Sequence, residues 1–304
     1  MTLELFMVFV ASTIRLSAPL LLAASGEYVS ERAGIVNMSL EGMMLMGAFG
    51  GAVATAFTGS PYLGLAGALV AVLPIALLQS VLTNTLRANQ VVTGLGINIL
   101  VLGLTTLGYR EIFGSRSREM IAGFDPISPP ILGDLPLVGT VFYQAGLLYF
   151  AILMVALIAF VVSRTGLGIM LKAAGDNPHV TAISGTPVMA IRHGAVFFTG
   201  AMAALGGAFL SIVDIHTFTE GMTRGAGYLA IVAVIFGNWR IGRVMGACLL
   251  FGAATALQFQ LPAMGIQLPN ALLIMLPYVL ALLAVAGLVG RQTAPRALSV
   301  PFWR

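Results

Sequence analysis

The chain has 304 residues, 59% of them hydrophobic and only 9% charged, with a net charge of +4. A soluble domain carries about 25% charged residues to cover its surface, so lipid must solvate much of this chain. The basic residues are scattered singly between apolar runs with no aromatic platform beside them, a pattern that excludes a nucleic-acid surface and reads instead as topology information.

One membrane helix needs about 20 apolar residues, and the chain offers about nine such runs in a single all-α, polytopic domain covering residues 1–304. The first runs from Leu3 to Ala24; Arg15 interrupts it, and it lacks the basic leader and cleavage site of a signal peptide. The next three are Ser39 to Phe57, Tyr62 to Leu86 and Gln90 to Tyr109. Residues 113–143 then form the most polar stretch, with Pro126, Pro129, Pro130 and Pro136 opposing a continuous helix; an external cap with short helices is expected there. The fifth and sixth spans are Gln144 to Ser163 and Ile191 to Val213. The short seventh is Gly227 to Trp239, followed by Ile241 to Leu261 and Pro269 to Val289.

Arg87, Arg164, Lys172, Arg192, Arg240, Arg243, Arg291, Arg296 and Arg304 all fall on one side of nine spans, which makes that side the cytoplasm. The N-terminus is then outside and the C-terminus inside; Arg110, Arg116 and Arg118 oppose this assignment without reversing it. The stretch Gly64 to Gln79 resembles Gly242 to Gln258 with opposite direction across the membrane, as an inverted repeat would. The lone Cys248 permits no internal disulfide.

Phosphate-cradling loops need a lysine after glycines, followed by Ser or Thr. Lys172 is the only lysine and Ala173 follows it, so this chain holds no ATP site of its own. His179, His193 and His216 have no metal-ligand spacing, and no serine sits in a G-x-S-x-G elbow. No catalytic residue, metal or cofactor in this chain is expected.

Two segments carry chemistry. In the first, 26–42, Glu27, Glu31, Arg32, Asn37, Ser39 and Glu41 interrupt what should be two apolar spans. Gly34 breaks the helix, Asn37 or Ser39 can cap the next one, and Glu41 sits at its positive end. This reads either as a broken helix lining a path through the membrane or as a cytoplasmic turn with a Glu31–Arg32 surface pair. In the second, 164–192, a short helix from Gly168 to Ala174 is followed by a turn at Gly175-Asp176-Asn177-Pro178 and another helical stretch. A mixed helix on the inner face suits docking into a partner's groove; a solvated loop helix is the other reading.

The strings ERAGIVNMSLEGMMLMGAF, GLGIMLKAAGDNPHVTAISG and GAGYLAIVAVIFGNW resemble the permeases of ABC importers for branched-chain amino acids, ribose and other simple sugars, and nucleosides, and most of all the short permeases of nucleoside and simple-sugar systems. The resemblance runs from about Thr13 to Val289. It implies a second permease, expected to be a paralogue, two ATP-binding subunits or one fused double ATPase carrying ATP and magnesium, and an external substrate-binding protein, all working by alternating access in the inner membrane. Residues Gly168, Leu171, Lys172, Ala173, Ala174, Gly175, Asp176, Asn177 and Pro178 would then match the ATPase-coupling element.

Polar residues in or beside spans are the candidates for the substrate pathway: Asn37, Ser39, Glu41, Gln90, Asn98, Asn238 and Gln258. Each amide could equally make an interhelical hydrogen bond. A stand-alone secondary transporter or channel is the rival reading, but it needs buried carboxylates, and the well-embedded stretches offer only Glu41.

Overall fold

The computed structural model describes residues 3–114, 120–127, 139–265, 269–283, 286 and 293–303. Twelve α-helices are found among them: α1 Leu3–Arg32, α2 Leu40–Thr58, α3 Pro61–Ser80, α4 Gln90–Ile112, α5 Gly139–Phe142, α6 Gly146–Arg164, α7 Gly166–Asp176, α8 Pro178–Ile183, α9 Val188–Ala208, α10 Ala226–Phe236, α11 Ile241–Ala263 and α12 Asn270–Leu283. Helices α3 and α9 continue into π-helical ends at Val81–Thr85 and Phe209–Asp214. Seven helices are long and apolar enough to cross a membrane: α1, α2, α3, α4, α6, α9 and α11. The seventh and ninth expected spans correspond to the shorter apolar helices α10 and α12. At about 1.5 Å per residue, the 11 residues of α10 reach only about half-way through the hydrocarbon layer.

Helix α9 is the axis of the bundle: 72% of its apolar window is buried, against 22% for α4 at the edge. Small residues make this approach feasible. A side chain at Gly207 would run into the Met44 carbonyl, one at Gly47 into the backbone of Ala204, and one at Gly26 into Thr199 and Met202, so α1, α2 and α9 meet nearly backbone to backbone. The outer faces carry exposed apolar side chains such as Tyr62, Ile99, Leu107 and Leu153, as lipid contact requires.

The Gly64 to Gln79 and Gly242 to Gln258 segments are used differently. Gly64 and Gly67 pack tightly on α2, whereas Gly242 and Gly246 face open space. Their sequence likeness is therefore not matched by equivalent packing. Of the stretch 113–143, the described part is closed by a two-residue antiparallel pair, β1 Pro126–Ile127 with β2 Gln144–Ala145, and by α5. Pro129, Pro130 and Pro136 lie outside the described residues, as do Arg116, Arg118, Arg291 and Arg304.

Candidate functional site

Helix α1 runs eight residues beyond the expected end at Ala24, to Arg32, and carries Glu27 and Glu31 into the interior, where both are buried. Glu41 is thus not the only carboxylate inside the bundle. Gly34, at φ +89°, turns the chain, and the irregular stretch that follows folds back along α1 with Ala33, Ile35, Asn37 and Ser39 all buried. Glu27 Oε1 accepts the Asn37 amide at 2.8 Å, and Gln90 Oε1 accepts the Val36 amide at 2.9 Å. No surface ion pair forms here. Glu31 accepts the Trp239 indole N–H at 2.5 Å, and the Arg32 guanidinium donates to the Trp239 carbonyl while lying 5.6 Å over the Tyr28 ring. The chain is broken here and its backbone is buried.

Consequently α2 starts well inside the bundle. Its third residue, Gly42, touches Asn98, which lies eight residues into α4, about 12 Å from that helix's start. Ser39 occupies the N-cap position but does not cap: its hydroxyl donates to Asn37 Oδ1 at 2.6 Å. The cap comes from another helix. Asn98 Oδ1 accepts the Gly42 amide at 2.8 Å, and its Nδ2 lies 2.8 Å from both the Met38 carbonyl and the Tyr228 hydroxyl.

Glu41, in the first turn of α2, serves the start of α10. One carboxylate oxygen accepts from the Thr223 hydroxyl at 2.6 Å and the Gly225 amide at 2.8 Å; the other accepts the Gly227 amide at 2.7 Å. A helix start leaves its first N–H groups unpaired and carries partial positive charge, so a carboxylate there is favoured, and more so away from water. Gly227 is required by proximity, since a side chain there would meet the backbone of Leu40 and Glu41. Tyr278 of α12 donates to the Arg224 carbonyl beside this junction. Two helix starts inside the bundle therefore meet, each capped by a side chain from elsewhere. Exposed Arg224 and half-buried Asn98 and Tyr228 stand beside them.

The structure brings Asn37, Ser39, Glu41 and Asn98 into one polar centre and sets Gln90 beside it. Asn238 is elsewhere, just past the C-terminal end of α10, where its Oδ1 accepts from the amide and hydroxyl of Thr293 at 2.8 and 3.1 Å. Gln258 is in the C-terminal half of α11, next to the pocket around Arg15, Asp214 and Gln260, where Arg15 and Asp214 pair at 3.5 Å. Sequence reasoning missed Thr223, Tyr228 and Tyr278. The available signal was T-x-G-x-G-Y before an apolar run, the pattern of a helix start with free amides.

Helices α7 and α8 lie at the end of the bundle where Gly34 turns the chain. The helix α7 runs to Asp176 rather than breaking at Gly175, and only Asn177 interrupts it. Asn177 caps α8 by accepting the Val180 amide at 3.2 Å, and Pro178 begins that helix, the preferred order of cap and first residue. Gly168 packs on the Val161 and Val162 carbonyls, and Ala174 and Gly175 are buried against the rest of the chain; Leu171, Lys172 and Ala173 are half-buried, and Asp176 is exposed. The exposed apolar side chains are Leu167 (65%), Ile169 (70%), Val180 (60%) and Ile183 (86%). Among the described residues no group of three or more His, Cys, Asp or Glu could hold a metal ion.

The family model described as the branched-chain amino acid transport system / permease component matches residues 9–286. A guanosine ABC transporter permease of Bacillus subtilis is 33% identical, with 98% of this chain and 97% of that protein aligned. A nucleoside ABC transporter permease of Lactococcus lactis is 31% identical over 97% of this chain and 96% of its own. A Haloferax volcanii permease provisionally named for glucose is 38% identical over 86% of this chain and 80% of its own. A solved ABC transporter in an inward-facing conformation shares the fold, with TM-score 0.52 and 15% identity over 91% of this chain and 84% of that one.

Proposed function

The chain belongs to the family of branched-chain amino acid transport system permease components, and from that premise we propose that it carries a nucleoside or simple sugar inward past the Glu41–Asn98 junction. It is the membrane-spanning permease subunit of an ABC importer, an integral protein of the cytoplasmic membrane that works with ATP-hydrolysing subunits, a substrate-binding protein and a paired permease. Catalysis of ATP hydrolysis belongs to the partner subunits, which bind ATP and magnesium. In our reading those are two ATPase subunits or one fused pair, and the second permease is a paralogue.

The observation that carries the proposal is the pair of helix starts joined in the interior. Half-helices whose ends lie at mid-membrane are a recurrent way to bring backbone dipoles to a transported solute. The Tyr228 hydroxyl accepts from Asn98 and keeps its own O–H to donate to a solute hydroxyl or a base edge, and two full-length relatives are named for nucleosides. Asn37, Ser39 and Gln90 shape the irregular backbone behind them. In this reading residues 164–192 face the cytoplasm, the N-terminus lies outside and the C-terminus inside. ATP binding on the partners moves α7–α8, and the movement shifts the bundle between outward-open and inward-open states. Neither ATP nor solute can bias that equilibrium except through unequal affinity for the two states.

The test is reconstitution of the whole transporter in proteoliposomes. ATP-dependent uptake of tritiated guanosine or glucose is expected. Uptake by this chain alone, driven by an ion gradient, would sink the reading. Cysteine placed at Ile183 should react with impermeant maleimide only from the ATPase side; the native Cys248 is buried and gives little background.

A further inference from the structure

The segment after α12 is wired into the inner face of the bundle. Thr293 is held by Asn238 at the end of α10. The Ala297 amide donates to the carbonyl of Gly175 in α7 at 2.9 Å, and the Ser299 amide donates to the carbonyl of Gly34 at 3.0 Å. The buried Arg192 of α9 then clamps both strands of this junction: its Nη1 donates to the Val300 carbonyl at 3.0 Å and its Nε to the Ala33 carbonyl at 3.2 Å. Phe302 is buried in a small cluster with Ala174 and Val188, its ring 5.2 Å from that of His179 in α8. Trp303 lies under the Arg87 guanidinium, 4.3 Å away, at the turn between α3 and α4.

Residues 293–303 therefore touch α7, α8, the start of α9, the end of α10, the α3–α4 turn and the α1–α2 break. The α1–α2 break is the backbone that leads directly into α2 and Glu41. Between α7 and that break the direct contact is backbone against backbone at Gly175 and Gly34, which can carry a push but has no hydrogen bond between the two residues to carry a pull. The C-terminal segment hydrogen-bonds both residues and anchors itself in a side-chain cluster on α7–α9.

We propose that residues 293–303 are a transmission strap that carries the movement of α7–α8 to the α1–α2 break and to α10, making Phe302 and Arg192 positioning residues for coupling. The inference rests on the ATP-driven reading above. Solute contact is assigned to none of these residues; their task is to make the two ends of the broken helices move with the docking helices.

Phe302→Ala removes the anchor of the strap while leaving the main core of the bundle intact, because its cluster is separate from that core. Substitutions along such a connection change coupling by about 2- to 30-fold. In the reconstituted transporter, with its ATPase and binding protein, the number of guanosine molecules moved per ATP hydrolysed should fall within that range. ATP hydrolysis itself and co-purification with the ATPase should persist, and Phe302→Leu should restore most of the ratio. An unchanged ratio in Phe302→Ala overturns the proposal. So does loss of ATPase co-purification, which would make the segment a docking surface, or a proportional fall in hydrolysis and transport. Arg192→Lys, which keeps the charge and loses the two-carbonyl fork, should uncouple in the same direction; full coupling there also counts against the strap. A wild-type complex whose ATPase is not stimulated by the binding protein would instead refute the importer reading, so the two failures are distinguishable.

Discussion

Replacing Glu41 by glutamine changes one atom and turns an acceptor into a donor at the start of α10. In the native protein three donors converge on the carboxylate: the Thr223 hydroxyl and the Gly225 amide on one oxygen, the Gly227 amide on the other. Glutamine can keep the first two by presenting its carbonyl to them, but its NH₂ then faces the Gly227 N–H, donor against donor. Alanine loses all three. Hydrogen bonds inside membrane proteins contribute about 0.6 kcal/mol on average and up to about 1.7, so three give an expected loss of about 2–5 kcal/mol for Glu41→Ala. One bond lost and one donor opposed gives about 1–3 kcal/mol for Glu41→Gln. The measurement is equilibrium unfolding of the detergent-solubilised chain, with uptake assayed in parallel in proteoliposomes. Both variants should be destabilised in the order alanine, then glutamine, and both should transport less. Glutamine as stable as wild type, or as damaging as alanine, would show that the convergence of three donors on Glu41 does not hold α10 in place.

The other predictions concern packing and docking. Asn98→Ala leaves the Gly42 amide without its acceptor and frees Tyr228; it should reduce uptake at least tenfold, equivalent to about 1.4 kcal/mol, and unchanged kinetics would remove it from the pathway. Gly207→Val pushes α9 off the Met44 carbonyl and should cost about 1–3 kcal/mol as overpacking, read as a lower melting temperature in detergent. Ile183→Glu, at an exposed apolar position of α8, should leave folding intact and weaken ATPase co-purification; undiminished co-purification would move the docking face elsewhere. Ala174→Glu, by contrast, should destabilise the chain itself, because Ala174 is buried against Phe302 and Val188.

Much of the membrane architecture was legible from side-chain type alone. Every apolar run expected to be a span holds a helix over most of its described residues, because in hydrocarbon the backbone has no partner but itself. The run of ionisable residues from Glu27 to Glu41 marked the break for the same reason. Boundaries were less legible. Glu27 and Glu31 made α1 look as if it ended at Ala24, yet Asn37 and Trp239 arrive from other parts of the chain to take their oxygens. Asn98 and Glu41 were named as polar groups, but composition says nothing about which helix start each one caps.

Asn238 and Gln258 illustrate the remaining limit. Both are amides beside apolar runs and look alike in sequence; one holds Thr293 just past the end of α10 and the other lies in the C-terminal half of α11. Hydropathy and charge belong to each segment by itself, so the sequence determined that the chain spans a membrane, where it breaks, and that it has no phosphate-binding loop of its own. Contacts between residues more than a hundred positions apart, such as Glu41 with Gly227, Arg192 with Val300 or Ala297 with Gly175, depend on how the helices are placed. Only the tertiary structure decided those, because a hydrogen bond depends on distance and direction between two groups, and neither group alone encodes where the other will be.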